Sequence, residues 1–203
     1  MLSQARIIEL HYRIRPEVEA WVLPEGKVPE SRFHDLALRR LVALFEAWAE
    51  REGRSVMVAR DLAVRWVPEA PRVGLDPDVC LIEPPPPEGD RVVSLCTWKP
   101  GHVLPRLAIE VVSLNHPHKG YLDIQEKYAA CGIEELWVLD PLLHGPRRFG
   151  GPWRLQVWRR EVADVFARVY AGDGPYHCGA VDVWVRVHDD RIALAARAFS
   201  KSG

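Results

Sequence analysis

Lysine is scarce in this chain: 22 of the 27 basic residues among its 203 are arginine. Against 28 acids the formal net charge is −1, which excludes the global attraction for nucleic acid that a strongly basic domain exerts. A local arginine-rich face stays open. Long apolar runs are also missing, and nothing approaches the ~20 residues of a spanning helix, so no membrane partner is expected. The N-terminus lacks the basic–apolar–small pattern of a secretory signal. The four cysteines (Cys80, Cys96, Cys131, Cys178) are far apart and form no CxxC pair, which argues against a zinc site and predicts reduced thiols in a cytoplasmic protein. There is no glycine-rich phosphate cradle, no Ser–His–Asp signature and no internal repeat. Gly172-Asp-Gly174 reads as a turn.

What is present has the length and composition of one globular domain over 1–203, with a core over about 17–141 and a β extension over about 153–196. Glu17 to Leu23 reads as a short strand. Leu36, Leu38, Leu41, Val42, Leu44, Phe45 and Trp48 recur at helical spacing and stop at Gly53, which predicts a helix over 34–51. Residues 55–59 and 61–67 are β-branched runs. The proline run at 84–87 cannot join a sheet ladder and reads as a stiff surface loop, after which 91–95 resumes as an edge strand. Beyond Pro141, strands over 153–159, 165–170, 181–187 and 192–195 read as an antiparallel extension of the sheet. Trp153, Trp158 and Trp184 add more apolar area than one hairpin readily buries, which suggests a homodimer.

The chemistry centres on residues 106–141. Leu107-Ala-Ile-Glu-Val-Val112 is too short for a buried helix and rich in β-branched residues, so it reads as a central strand. Glu110 is out of place there, because an unpaired carboxylate is costly to desolvate. A helix over about 120–131 and a strand over 136–139 complete a βαβ unit. Upstream, 73–82 is another apolar strand with acids at its start. Period-two alternation puts Asp78, Cys80 and Ile82 on one face, and Ala108, Glu110 and Val112 likewise. If the two strands pair, the carboxylates of Asp78 and Glu110 converge. With a backbone carbonyl they make a hard-oxygen site suited to Mg²⁺ or Mn²⁺.

Pro77-Asp78, Ile109-Glu110-Val111-Val112-Ser113, a lysine-bearing helix and Gly132-Ile-Glu-Glu-Leu-Trp-Val-Leu-Asp-Pro141, in that order, resemble the Uma2 (DUF820) family of the PD-(D/E)XK nuclease-like superfamily. The resemblance implies a restriction-endonuclease-like α/β core, a mixed central sheet flanked by helices, with the C-terminal antiparallel β extension added. It implies metal-dependent cleavage of nucleic-acid phosphodiesters, DNA foremost, with Asp78, Glu110 and the Val111 carbonyl holding the cation. The superfamily's lysine lies two residues after the acid, which here is Val112. In this branch the lysine is carried by the following helix, leaving Lys127 and Lys119, which with Asp123 fall at i, i+4 and i+8 near one face. Glu19 and His34 match residues near the family's crevice.

Each of these has a plainer reading. Lys119, Asp123 and Lys127 make an ordinary solvated helix face, Glu19 an edge-strand charge, His34 a capping or surface residue, and Asp76 a turn cap. His116 and His118 could ligate zinc or copper, but no third ligand lies at a recognisable spacing. The rival to an enzyme is a degenerate nuclease fold that binds nucleic acid or protein without cutting.

Overall fold

A computed structural model describes residues 32–113, 124–145, 147, 153–162, 165–188 and 191–199. Helix α1 (Arg32–Arg51) forms where Leu38, Leu41, Phe45 and Trp48 recur on one side and bury there. Asp35 in its first turn and Arg51 in its last suit the helix dipole. Gly53, at φ 63°, takes the left-handed conformation that closes it.

Among the described residues eleven strands follow: β1 (Met57–Arg60), β2 (Ala63–Arg65), β3 (Val79–Ile82), β4 (Ser94–Cys96), β5 (Leu107–Val111), β6 (Glu135–Leu139), β7 (Leu155–Val162), β8 (Val165–Gly172), β9 (Tyr176–Cys178), β10 (Val183–His188) and β11 (Arg191–Ala195). The central sheet is six-stranded, ordered β1-β3-β5-β6-β7-β8. Only β5 and β6 pair in parallel; the other neighbours are antiparallel. The mixed α/β sheet expected from the sequence is therefore found, and the β5–helix–β6 crossover is its βαβ unit. β3, β5 and β6 are buried along their whole length, as central strands covered on both faces should be.

One face packs under α1 and the C-terminal strands. Val79, Leu81, Leu107, Ile109, Val111, Trp137 and Leu139 meet Leu38, Phe45 and Trp48, with Val183, Val185 and Val187 beside them. Trp137 is fully buried and its ring lies 5.9 Å from that of Phe45. Each large side chain buried in this way contributes about 1.5–3 kcal/mol. The other face, with Cys80, Ile82, Ala108, Val112, Leu136 and Val138, packs under Tyr128, Ala129 and Cys131 and the residues around Leu75 and Leu95.

Four expectations need correction. The 91–95 run does not edge the central sheet: Gly89–Arg91 is a 3₁₀ turn, and β4 pairs in parallel with β2 in a separate two-stranded sheet. Asp61, at φ 48°, breaks the chain between β1 and β2 and lets them serve different sheets. Only β7 and β8 extend the central sheet; β9, β10 and β11 form their own antiparallel sheet, whose Val183, Val185 and Val187 cover the α1 face. β9 was not expected at all. The helix expected over 120–131 is, in its described part, a π-helical turn Ile124–Tyr128 continuing as Ala129–Cys131. The three tryptophans are also divided. Trp158 packs on the core, Trp184 stacks on His177 at 5.1 Å and Trp153 is exposed. They do not share one face.

Candidate active site

β3 and β5 pair antiparallel with Val79 across from Ile109 and Cys80 across from Ala108. One residue further along that register Asp78 stands across from Glu110, and residues directly opposite share a face. The two acids therefore meet at the C-terminal end of β5, where the chain leaves for the β5–β6 crossover. Crevices beyond the carboxyl ends of strands are the usual ligand sites of open α/β sheets. Asp78 is fully buried and Glu110 nearly so.

Each carboxylate is held. The Val111 N–H donates to Asp78 Oδ2 at 2.7 Å, and His34 Nε2 lies 3.5 Å from Asp78 Oδ1. His34 is buried in the first turn of α1, which corrects its reading as a surface or capping residue. The Tyr128 hydroxyl donates to Glu110 Oε1 at 2.5 Å. Burial holds the Tyr128 proton well above the usual phenol range, and the negative charges of Glu110 and Asp78 push in the same direction. Tyr128 is therefore a dedicated donor, and its hydroxyl senses both acids.

Lys127 precedes Tyr128 on the π-helical turn and is half-buried. Arg160 donates to the carbonyls of Tyr128 and Ala129 and so ties this turn to β7. A guanidinium suits the exposed carbonyls of a helix end. Glu19, Lys119, His116, His118 and Asp123 lie outside the described residues.

Among the described residues no three His, Cys, Asp or Glu side chains cluster closely enough to hold a metal by themselves. The donors present are two carboxylates and the strand-end backbone at Val111. That set fits Mg²⁺ or Mn²⁺, which take one or two carboxylates and fill their other positions with water and substrate oxygens. It does not fit a closed structural zinc site. Each carboxylate carries two oxygens, so a contact of one oxygen with the Val111 N–H or the Tyr128 hydroxyl does not by itself prevent the carboxylate from ligating. All four cysteines are buried and unbridged, away from this role.

Two features had no reading in the sequence. One is the Tyr128 hydroxyl, directed at Glu110. Glu135, at the start of β6, is fully buried and accepts from Trp137 Nε1 at 2.8 Å, from Arg159 at 3.3 Å and from the Tyr176 hydroxyl at 3.3 Å. A cavity of about 460 Å³ lies between α1 and the β10–β11 hairpin, lined by Phe33, Leu36, Leu41, Val187 and Ile192. It contains neither acid, touching the site only through Val111. No helix among the described residues is long and apolar enough to cross a membrane.

A family model named Uma2, with the description "Putative restriction endonuclease", matches residues 12–172. No curated protein matches the chain. Among solved structures, a "putative nuclease belonging to DUF820" from Anabaena variabilis is 15% identical, with a TM-score of 0.47, over 75% of this chain and 78% of that one.

Proposed function

The chain belongs to the Uma2 family, and we propose that it is a metal-dependent nuclease that hydrolyses phosphodiester bonds, with DNA as its substrate. The observation that carries this reading is the meeting of Asp78 and Glu110 at the C-terminal end of β5, buried and on one face of the sheet. Two carboxylates brought together in a low-dielectric site repel unless they share a proton or a cation, and a divalent cation is the partner the nuclease reading calls for.

Asp78 and Glu110 would hold Mg²⁺ or Mn²⁺, with the Val111 carbonyl as a third protein oxygen. When bound, the cation supplies polarisation of the phosphodiester and a water of lowered pKa. The chain's own residues do the rest. The Val111 N–H and His34 fix the rotamer of Asp78. Lys127, or Lys119 from the same crossover, would orient the attacking water or offset charge building on the phosphate. Arg32, Arg39 and Arg40 are exposed in the first turns of α1, the end that carries His34. They offer a basic approach for a phosphate backbone despite the neutral whole.

Calorimetry with Mg²⁺ and Mn²⁺ on the wild type, Asp78→Ala and Glu110→Ala, followed by plasmid nicking with the same samples, tests the proposal. Binding and nicking present in the wild type and lost in both variants is the expected result. Metal binding without cleavage of DNA or RNA would favour the degenerate, binding-only fold. No metal binding by the wild type would sink the site.

A further inference from the structure

Tyr128 is an aromatic residue that the proposed chemistry does not require, yet its hydroxyl is aimed at one of the two proposed ligands. It is nearly fully buried among apolar residues of the sheet face opposite α1, and its O–H donates to Glu110 Oε1 at 2.5 Å. Its backbone is fixed independently: Gly132 N–H and an Arg160 guanidinium N–H both donate to the Tyr128 carbonyl, at 3.2 and 3.3 Å. The ring is also walled in by the sheet face that bears Cys80 and Ala108. The hydroxyl therefore cannot follow Glu110 if the carboxylate turns. It holds one oxygen of that carboxylate in a set place.

A carboxylate held by one oxygen presents a cation with the other oxygen far more readily than with both. Small divalent ions and calcium differ on this point. Mg²⁺ demands near-ideal octahedral geometry and accepts single oxygens, whereas Ca²⁺ takes six to eight oxygens in flexible geometry and readily accepts a chelating carboxylate. Resting on the metal-site reading above, we propose that Tyr128 is a positioning residue that keeps Glu110 monodentate and thereby selects Mg²⁺ or Mn²⁺ over Ca²⁺. Loss of the hydroxyl removes this hold on Oε1 and with it the handicap on the larger ion.

The test is a pair of calorimetric titrations, MgCl₂ and CaCl₂, on wild type, Tyr128→Phe and Arg160→Lys, with no substrate present. Tyr128→Phe keeps the ring that fills the core, and Tyr128→Met serves as a second hydroxyl-free variant should the first fail to fold. The ratio of Mg²⁺ to Ca²⁺ affinity is expected to fall about tenfold in Tyr128→Phe, the size usual for partners that orient a ligand. Arg160→Lys loosens the same turn without touching Glu110, so it should weaken both ions together and leave the ratio alone. A wild type that binds both ions, with an unchanged ratio in the hydroxyl-free variant, overturns this inference and leaves the nuclease reading standing. A wild type that binds neither ion overturns both.

Discussion

Two buried glutamates lie on the two parallel strands of the sheet and have opposite surroundings. Glu110 is near the C-terminal end of β5, on the face covered by the π-helical turn; Glu135 is at the N-terminal end of β6, on the face covered by the C-terminal sheet. Each receives a tyrosine hydroxyl, from Tyr128 in one case and Tyr176 in the other. The difference lies in the charge each meets. Glu135 has the Arg159 guanidinium at 3.3 Å and the Trp137 indole N–H at 2.8 Å, while Arg159 also donates to Tyr176 at 2.6 Å. Glu110 stands across from a second carboxylate. The first arrangement closes on itself and joins β6, β7 and β9. The second gathers like charge where the crossover leaves the sheet. A buried acid is thus no sign of a site until its partners are known.

The sharpest way to break this contrast is a pair of isosteric changes. Glu110→Gln should lower metal affinity and cleavage about 100-fold or more, the upper end of what perturbing a metal site costs, while the melting temperature stays level or rises as repulsion with Asp78 is relieved. Glu135→Gln should do the reverse. It should leave metal binding intact and cost about 2–3 kcal/mol in urea unfolding, because hydrogen bonds to a charged acceptor are weakened or lost. If Glu110→Gln destabilised and Glu135→Gln silenced the site, the assignment of roles would be inverted.

A smaller effect sharpens the same contrast at Gly132, which joins the two regions. It ends the helical turn that carries Tyr128 and lies three residues before β6. Its φ is 98°, and an added Cβ would meet Leu104 Cδ1 at 2.9 Å. Gly132→Ala should cost about 1–2 kcal/mol through the left-handed backbone, since the leucine tip can move aside. The strain falls on the Tyr128 side, so cation affinity should drop with stability, whereas the Arg159–Glu135 contact should be untouched. Thermal melts and Mg²⁺ titration of the one variant read both.

The contrast also explains what could be read from the sequence. Glu110 announces itself because it interrupts a run of apolar residues, and alternation along the two strands was enough to put Asp78 on its face. The parallel β5–β6 pair followed from the βαβ spacing of apolar runs, and the mixed central sheet from the family resemblance. Glu135 gives no such signal. It sits just ahead of an apolar run, where a charged strand start is ordinary, and its partners Arg159 and Tyr176 lie 24 and 41 residues away. Tyr128 was hidden for a different reason: an aromatic residue on a buried helical face satisfies hydrophobic periodicity, which is blind to where the hydroxyl points. β4 and β9 are three residues long, too short for period-two alternation to register, and the pairing of β4 with β2 depends on a turn at Asp61 that propensity does not reveal.

The smallest predicted effect lies in alkali and concerns the Glu135 side. Burial raises the Tyr176 hydroxyl above the usual phenol range and Cys178 well above the usual thiol range, and the Glu135 charge adds to both. Below about pH 9 these groups are protonated in the folded and unfolded chain alike, so their contribution is complete. Above the ordinary thiol value of 9.0, and then above the phenol value of 10.0, the unfolded chain releases protons that the folded protein retains. Stability must therefore fall as pH rises, by at most about 1.4 kcal/mol per pH unit for each proton. Glu135→Gln removes the charge and leaves the burial, so the fall should begin at the same pH and run parallel to wild type up to pH 11. Tyr176→Phe should remove only the part that starts near pH 10. Other buried thiols and tyrosines titrate in the same range, so the informative quantity is the difference between each variant and wild type in urea midpoints from pH 8 to 11. A Tyr176→Phe curve parallel to wild type above pH 10 would mean that the Tyr176 hydroxyl loses its proton as readily as an exposed phenol, and that burial does not raise it.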